Sequence, residues 1–154
     1  MPQSTVVYFS KFGNTRMVAD RIANTLSSAG PVRVISSDEL SVSDIEEIDL
    51  VIMGTPTHNM NLPKSVKPVL EELPRKSFKG ISFAAFDTSY KMFWWLNHFT
   101  AAKRLARKLT KLGGKRLVSP ETFHVTEREG PLFDGELERA ESWAAAVLEK
   151  LRQP

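Results

Sequence analysis

The chain has 154 residues, of which 42% are hydrophobic and 25% are charged, and it contains no cysteine. This length predicts a single domain spanning residues 1–154. The lack of thiols excludes disulfide scaffolds, cysteine-bound metal clusters and thiol catalysis. No apolar run approaches the roughly 18 residues of a membrane helix, and the first residues lack the pattern of an export signal. We therefore expect a cytoplasmic protein with no membrane span.

The formal net charge is +3, and it is distributed unevenly. Residues 103–116 contain seven basic side chains and no acid, whereas residues 38–49 contain six acids and no base. The basic segment is open to two interpretations: a nucleic-acid-binding surface or the solvated face of an amphipathic helix. The second is favoured, because the segment has an apolar stripe and no interleaved aromatic residue. We expect no nucleic-acid partner.

The first half of the chain alternates strand and helix patterns. Short apolar runs predict strands over residues 5–9, 32–35 and 50–53. A helix is predicted after the first strand and ends at Gly30-Pro31, with apolar positions Val18, Ile22, Leu26 and Ala29. A polar, acidic segment joins the second and third strands.

The same alternation continues to the C-terminus. A short helix is predicted around Val66–Leu73, with Pro68 in its first turn, and a fourth strand over residues 81–86. The strongest helix pattern ends at Gly113-Gly114; its stripe is Phe99, Ala102, Leu105, Ala106, Leu109 and Leu112.

The last strand and helix complete the pattern. Residues 116–118 and 123–125 flank Pro120 and predict an interrupted edge strand. Asp134 is predicted to cap the final helix. Five strands alternating with helices predict an α/β fold with a parallel sheet covered on both faces. Such sheets bind ligands at the carboxyl ends of their strands, that is, in the loops after Phe9, Met53 and Phe86.

The first of these loops carries groups that suit a phosphate. Its residues, between a strand and a helix, are Ser10, Lys11, Phe12, Gly13, Asn14 and Thr15. The free amides and dipole of a helix N-terminus favour an anion, and the hydroxyl and amide side chains add donors. An ordinary strand-to-helix turn capped by Asn14 or Thr15 explains the spacing equally well. The signatures of P-loop hydrolases and dinucleotide-binding domains are absent.

The combination of three loops resembles the flavodoxin family. Residues 10–15 with Ala19 are similar to the S/T-x-x-G-N-T-x-x-x-A phosphate fingerprint of flavodoxins. Residues 54–60 and 86–90 are similar to the two loops that line the isoalloxazine ring of flavin mononucleotide (FMN). The resemblance spans nearly the whole chain and implies a short-chain, flavodoxin-like three-layer α/β/α sandwich. Its five-stranded parallel sheet would have the order 2-1-3-4-5.

The resemblance implies FMN as cofactor and assigns site residues. Residues Ser10, Lys11, Phe12, Gly13, Asn14 and Thr15 would bind the phosphate. Thr55, Pro56, Thr57 and His58 would line the ribityl chain and one ring face. The same loop continues through Asn59 and Met60, and Asn59 would occupy the position whose peptide carbonyl turns toward flavin N5. The third loop would supply Phe86, Asp87, Thr88, Ser89 and Tyr90, with Asp87 accepting from the flavin N3–H and Tyr90 stacking on the outer face. His58 is open to a second interpretation as a solvated loop histidine.

The segment Met92-Phe93-Trp94-Trp95-Leu96 follows the presumed ring loop directly. It is open to two interpretations: a cover for the flavin, or an exposed apolar patch for a quinone, a partner or a second copy of the chain. The three histidines have no ligand-like spacing, so no metal site is expected. No catalytic residue is identified.

The resemblance implies a low-potential electron carrier that exchanges electrons with redox partner proteins. An FMN-dependent reductase of quinones or other small acceptors using NAD(P)H is the alternative. A third alternative is an interaction domain that retains the fold without the ligand. The departures from the family are Lys91, at a position that is often acidic, and the positive net charge.

Overall fold

A computed structural model describes residues 1–10, 12–57, 62–90 and 101–153 of the chain. Strands and helices alternate through these residues. The strands are β1 (Ser4–Tyr8), β2 (Val32–Ser36), β3 (Leu50–Pro56), β4 (Ser82–Tyr90), β5 (Lys115–Arg116) and β6 (Glu121–Val125). The α-helices are α1 (Asn14–Leu26), α2 (Val66–Glu71), α3 (Ala101–Lys111) and α4 (Glu136–Arg152). Two short 3-10 segments, Ser37–Glu39 and Val42–Ile45, lie between β2 and β3.

All six strands belong to one parallel sheet. Its order is β2-β1-β3-β4-β5, and β6 pairs with the same strand as β5, namely β4. β5 lies beside Ser82 and Phe83, whereas β6 lies beside residues 86–90. β5 and β6 are thus two parts of one edge strand, interrupted around Pro120, where a backbone donor is missing. The predicted order 2-1-3-4-5 and the interrupted edge strand are confirmed.

Helices cover both faces of the sheet and bury two separate apolar clusters. On one face, Val18 and Ile22 of α1 and Ala144 and Val147 of α4 pack against the strands. The other face is covered by the acidic β2–β3 connection, α2 and α3, whose buried residues are Ile45, Val66, Leu70, Leu105, Ala106 and Leu109. The three-layer α/β/α sandwich is therefore confirmed.

The basic segment forms the solvated side of α3, as the preferred interpretation predicted. Ala102, Leu105 and Leu109 are buried, whereas Arg107 and Lys111 are exposed on the opposite side of the helix. This alternation is the 3.6-residue periodicity of an amphipathic helix. Burial of the apolar stripe fixes which cations face solvent.

Two predicted strand ends are wrong. β3 extends through Thr55 and Pro56, and β4 extends to Tyr90, so residues that were predicted to form loops lie in strands. Pairing explains the extension: Asp87 and Thr88 lie opposite Thr55 and Pro56, and β6 pairs with the same part of β4 on its other side. Strand partners satisfy the backbone there, although the side chains are polar.

The predicted cap of the last helix is also wrong. Gly135, with a left-handed φ of 88°, occupies the N-cap position of α4, and Asp134 is exposed. The buried Glu136 carboxylate instead accepts hydrogen bonds from the His124 amide (2.7 Å) and from Arg139 (2.8 and 3.0 Å). Burial favours the neutral acid, but these bonds outweigh it, so the pKa of Glu136 lies below its usual value. An acid in the first turn thus ties α4 to β6.

None of the described helices is long and apolar enough to cross a membrane.

Candidate functional site

The loop between β1 and α1 is closed by its own backbone and one hydroxyl. Gly13 has a φ of 90°, in the left-handed region that glycine adopts freely, and it occupies the N-cap position of α1. The Gly13 amide donates to Ser10 Oγ over 3.0 Å, and the Gly13 carbonyl accepts from the Met17 amide over 3.0 Å. The capping role that could have fallen to Asn14 or Thr15 is therefore taken by glycine.

This arrangement leaves hydrogen-bond donors at the start of a 13-residue helix. The amides of Asn14, Thr15 and Arg16 lie in the first turn and have no acceptor within the helix. Ser10 Oγ uses a lone pair for Gly13 and retains its own proton as a donor. Carboxylates are absent from the described loop residues, which are 10 and 12–15. The donors and the helix dipole together suit a phosphate group.

Two motif side chains hold the loop to distant parts of the chain. Asn14 Nδ2 donates to the Glu129 carbonyl oxygen over 3.0 Å, and Thr15 Oγ1 hydrogen-bonds Thr88 Oγ1 over 2.8 Å in a buried position. Sequence reasoning missed the segment around Glu129, because 115 positions separate it from Asn14 and its residues form no recognisable motif. Gly130 follows Glu129, and a side-chain carbon there would lie 2.5 Å from Asn14 Oδ1, so the close approach of Asn14 requires glycine at this position.

Asp87 does not lie in an open loop. It is fully buried within β4, where its Oδ2 accepts hydrogen bonds from the Thr57 hydroxyl (2.7 Å) and the Ala102 amide (3.0 Å). The Ala101 amide donates to the same Thr57 hydroxyl over 3.3 Å. This carboxyl thus joins the end of β3 to the start of α3. The predicted hydrogen bond from the flavin N3–H to this carboxyl stays a prediction.

Burial raises the pKa of the Asp87 carboxyl, and the neighbouring hydroxyls and the Ala102 amide lower it by a smaller amount. Among the described residues, Oδ1 has no hydrogen-bond partner. The Thr122 hydroxyl lies close enough to offset part of the rise in pKa without forming a hydrogen bond of normal geometry. Asp87 is thus a buried acid whose charged form is poorly solvated.

We expect Asp87→Asn to change how stability depends on pH. In wild type the folded state keeps its proton to a higher pH than the unfolded chain, whose aspartate titrates near about 3.9. Wild type therefore loses stability as the pH rises from the pKa of Asp87 in the unfolded chain to its higher pKa in the folded state, and the variant lacks this loss. The asparagine oxygen can still accept from Ala102. The measurement is urea unfolding of both proteins at several pH values between about 4 and 7.

The result expected is a variant that gains stability relative to wild type as the pH rises. Asp38→Asn, at an exposed position, controls for the substitution itself. A difference between Asp87→Asn and wild type that is constant with pH would contradict the assignment.

The other predicted ring residues are only partly brought together. Phe86, Thr88 and Ser89 are buried in β4, and Thr55 is buried in β3. Pro56 and Thr57 are half-buried at the end of β3, and Tyr90 is 44% exposed at the end of β4. The remaining predicted site residues lie outside the described residues; they are Lys11, His58, Asn59, Met60 and the Met92–Leu96 segment.

A cavity of about 260 Å³ opens at the same ends of the strands. Its lining comes from the ends of β1, β2 and β3 and from the segment before α2: Phe9, Ser10, Ser36, Ser37, Asp38, Pro56, Pro63 and Ser65. In the order 2-1-3, successive connections run to opposite sides between β1 and β3, and ligands of parallel sheets bind at such a point. The loop between β1 and α1, residues 10–15, is the phosphate-type loop, and it shares Ser10 with this cavity.

No cluster of three or more histidines, aspartates or glutamates that could hold a metal occurs in the described parts of the chain. The described part of the site consists of the β1–α1 loop, the cavity at the strand ends and the exposed Tyr90.

Comparison with known proteins identifies the family. The family model described as Flavodoxin matches residues 6–143, which include the phosphate-type loop and the strands that carry the site. The chain belongs to the flavodoxin family. The FMN cofactor and the electron-transfer function that the sequence resemblance implied are thereby confirmed.

Individual relatives have low sequence identity to this chain, but the matches cover nearly all of it. A flavodoxin of Clostridium saccharobutylicum is 24% identical over 163 residues, covering 97% of each chain. The inducible nitric oxide synthase of Gallus gallus is 25% identical over 153 residues, which are 96% of this chain but 12% of the synthase. Among solved structures, Flavodoxin 2 from Bacillus cereus superposes with a TM-score of 0.81 at 19% identity, covering 96% of this chain and 99% of that one. Relatives of this chain thus include proteins of similar length and a much longer protein.

The residues of the β1–α1 loop fit the phosphate of FMN. The fit rests on the lack of carboxylates among the described loop residues, on the first-turn amides that have no acceptor within the helix, and on open space around Gly13, where a side-chain carbon would meet no atom within 4 Å.

Proposed function

We propose that this chain is a one-electron carrier that holds FMN at the carboxyl ends of β1, β3 and β4. The observation that carries the proposal is the loop from Ser10 to Thr15, which offers donors and no carboxylate at the start of α1. A mononucleotide phosphate brings about −1.5 to −2 charges, which such a loop stabilises without an arginine. When bound, FMN would supply the redox chemistry, and the protein supplies binding and orientation.

The chain's own residues divide into three roles in this proposal. Ser10 and the first-turn amides of α1 bind the phosphate, and Asn14 and Thr15 hold the loop against its neighbours. Pro56 and Thr57 line the ribityl side, and Tyr90 packs on the ring. Asp87 acts behind Thr57: its carboxyl fixes the Thr57 hydroxyl and the start of α3.

The low reduction potential that the family resemblance implies is part of the proposal. An aromatic wall at Tyr90 would disfavour additional negative charge on the cofactor. The cytoplasmic location, the single-domain boundary and the role of Met92–Leu96 stay predictions.

A reductive titration tests the proposal against the reductase alternative. The FMN-loaded protein is reduced by dithionite under anaerobic conditions, and flavin absorbance is followed; NADPH and a soluble quinone are then offered without an added reductase. We expect full reduction by dithionite and no sustained NADPH oxidation, because the sequence contains no signature of a dinucleotide-binding domain. Sustained NADPH consumption that depends on the quinone would contradict the carrier and favour the enzyme.

A further inference from the structure

The exposed side of α3 lies between two grooves. One groove, of about 650 Å³, lies between α2 and α3, and the other, of about 790 Å³, lies between α3 and the β5 edge. Arg107 and Lys111 line both grooves. We call this surface the basic face and define it by the five lysines and arginines of α3 together with Lys64, Lys67 and Arg116.

The basic face has a large excess of positive charge. Its eight cations share the grooves with one carboxylate, Glu71, which already lies 3.7 Å from Lys67. Eight cations against one acid leave +7 on this face, whereas the whole chain carries +3, so the rest of the chain carries −4. Within the described residues, none of the five α3 cations forms an ion pair.

The arrangement is fixed by the fold. The apolar stripe of α3 is buried against the sheet, so the helix cannot rotate about its axis and its cations stay on the side away from the sheet. Arg104 is partly buried, and its Nε has no hydrogen-bond partner among the described residues. Unneutralised like charges held this close repel, and an acidic partner would relieve the repulsion.

The basic face begins at the proposed cofactor site. Pro63 lines both the cavity at the strand ends and the groove between α2 and α3, and Leu62 and Lys64 continue the groove wall. In the sequence these residues come shortly after residues 54–60, which resemble a flavin loop. A partner seated in this groove would therefore lie beside the proposed cofactor site.

We propose that the basic face is the docking surface for an acidic protein that exchanges electrons with this chain. The proposal rests on the proposed carrier function and adds the partner's chemistry. Charge complementarity and continuity with the site support it. A nucleic acid is the less favoured occupant, because the described lining of both grooves contains no aromatic side chain for base stacking.

The test uses two forms of one probe that differ in surface charge. Cytochrome c with its lysines succinylated presents an acidic surface, and unmodified cytochrome c presents a basic one. Binding of each form to the FMN-loaded chain is measured by titration calorimetry at low and high salt. The variant is Arg107→Glu/Lys111→Glu; the matched control is Lys150→Glu/Arg152→Glu, an equal charge change near the end of α4, which packs on the other face of the sheet.

We expect the acidic probe to bind wild type and the control variant, and the basic probe to bind neither. The α3 variant should bind the acidic probe about tenfold more weakly at low salt, and high salt should remove the difference. The rate at which the reduced holoprotein delivers one electron to each ferric haem should follow the same order. A 20-base-pair DNA duplex, added as competitor, should not displace the acidic probe at equal charge concentration.

Three outcomes would overturn the proposal: equal weakening in the α3 variant and its control, no preference for the acidic probe, or displacement by the duplex. Calorimetry of the apoprotein with FMN separates this proposal from the carrier function. Absence of FMN binding would contradict the carrier function, whereas absence of acidic-probe binding by the FMN-loaded chain would contradict only the docking surface.

Discussion

Ser10→Asp is expected to weaken FMN binding by about 100-fold, because like charges near a protein surface repel by about 2–4 kcal/mol at contact distance. Ser10 lies at the turn into α1, and its Oγ accepts from the Gly13 amide over 3.0 Å. An aspartate oxygen can replace that acceptor, so the loop should keep its shape while a negative charge enters the anion site. Fluorescence titration of the apoprotein with FMN measures the change.

Ser10→Asn is the matched control for this charge. Asparagine has nearly the shape of aspartate and offers the same acceptor to Gly13, but it is neutral. We expect its FMN affinity to stay within about tenfold of wild type, the cost of one altered hydrogen bond. Equal losses in the aspartate and asparagine variants would show that shape, and not charge, decides binding.

Phe86→Ala is expected to destabilise the folded chain by about 3–5 kcal/mol. Phe86 is fully buried and packs edge-to-face against Phe123 and Trp143, with ring centroids 5.8 and 6.0 Å away. Its ring also fills the space beside Gly54, where a side-chain carbon would lie 2.0 Å from Phe86 Cζ. Removing the ring leaves a cavity between β3, β4 and α4. Urea unfolding followed by far-ultraviolet circular dichroism gives the free energy of unfolding.

Phe133→Ala controls for loss of a phenyl ring at a surface position, because Phe133 is 42% exposed. Its cost should be well below that of Phe86→Ala. Similar unfolding free energies for the two variants would contradict the placement of Phe86 in the core.

The buried elements of the fold could be predicted from the sequence. Leu50–Met53 is continuously apolar because β3 is covered on both faces, and the stripe of Leu105 and Leu109 is the buried side of α3. Pro120 marked the interruption of the edge strand. These signals succeed because burial acts on local periodicity, which a single sequence displays.

The ends of β3 and β4 could not be predicted in this way. Asp87 and Thr88 are polar and looked like loop residues, yet they pair with β3 on one side and β6 on the other. Their polarity is satisfied by long-range partners: Thr57 and Ala102 for Asp87, and Thr15 for Thr88. Local patterns carry no information about partners that distant. The same reason explains why the contact between Asn14 and Glu129 was missed.

The phosphate-type loop was predictable in composition but not in detail. Its donors follow one another within six residues, so the motif is visible in the sequence. Which residue caps the helix depends on backbone conformation, and Gly13 at a φ of 90° takes that role. Ser10 then becomes the acceptor that closes the turn.

Affinity of the apoprotein for FMN relative to riboflavin tests the central claim most directly, because the two ligands differ only in the phosphate. Calorimetric titration of wild type with each ligand gives the two constants. We expect FMN to bind at least about 100-fold more tightly, since the loop supplies two or more charge-assisted hydrogen bonds worth about 1.5–3 kcal/mol each. Equal affinities, or no heat with FMN, would contradict the assignment of the Ser10–Thr15 loop as the phosphate site.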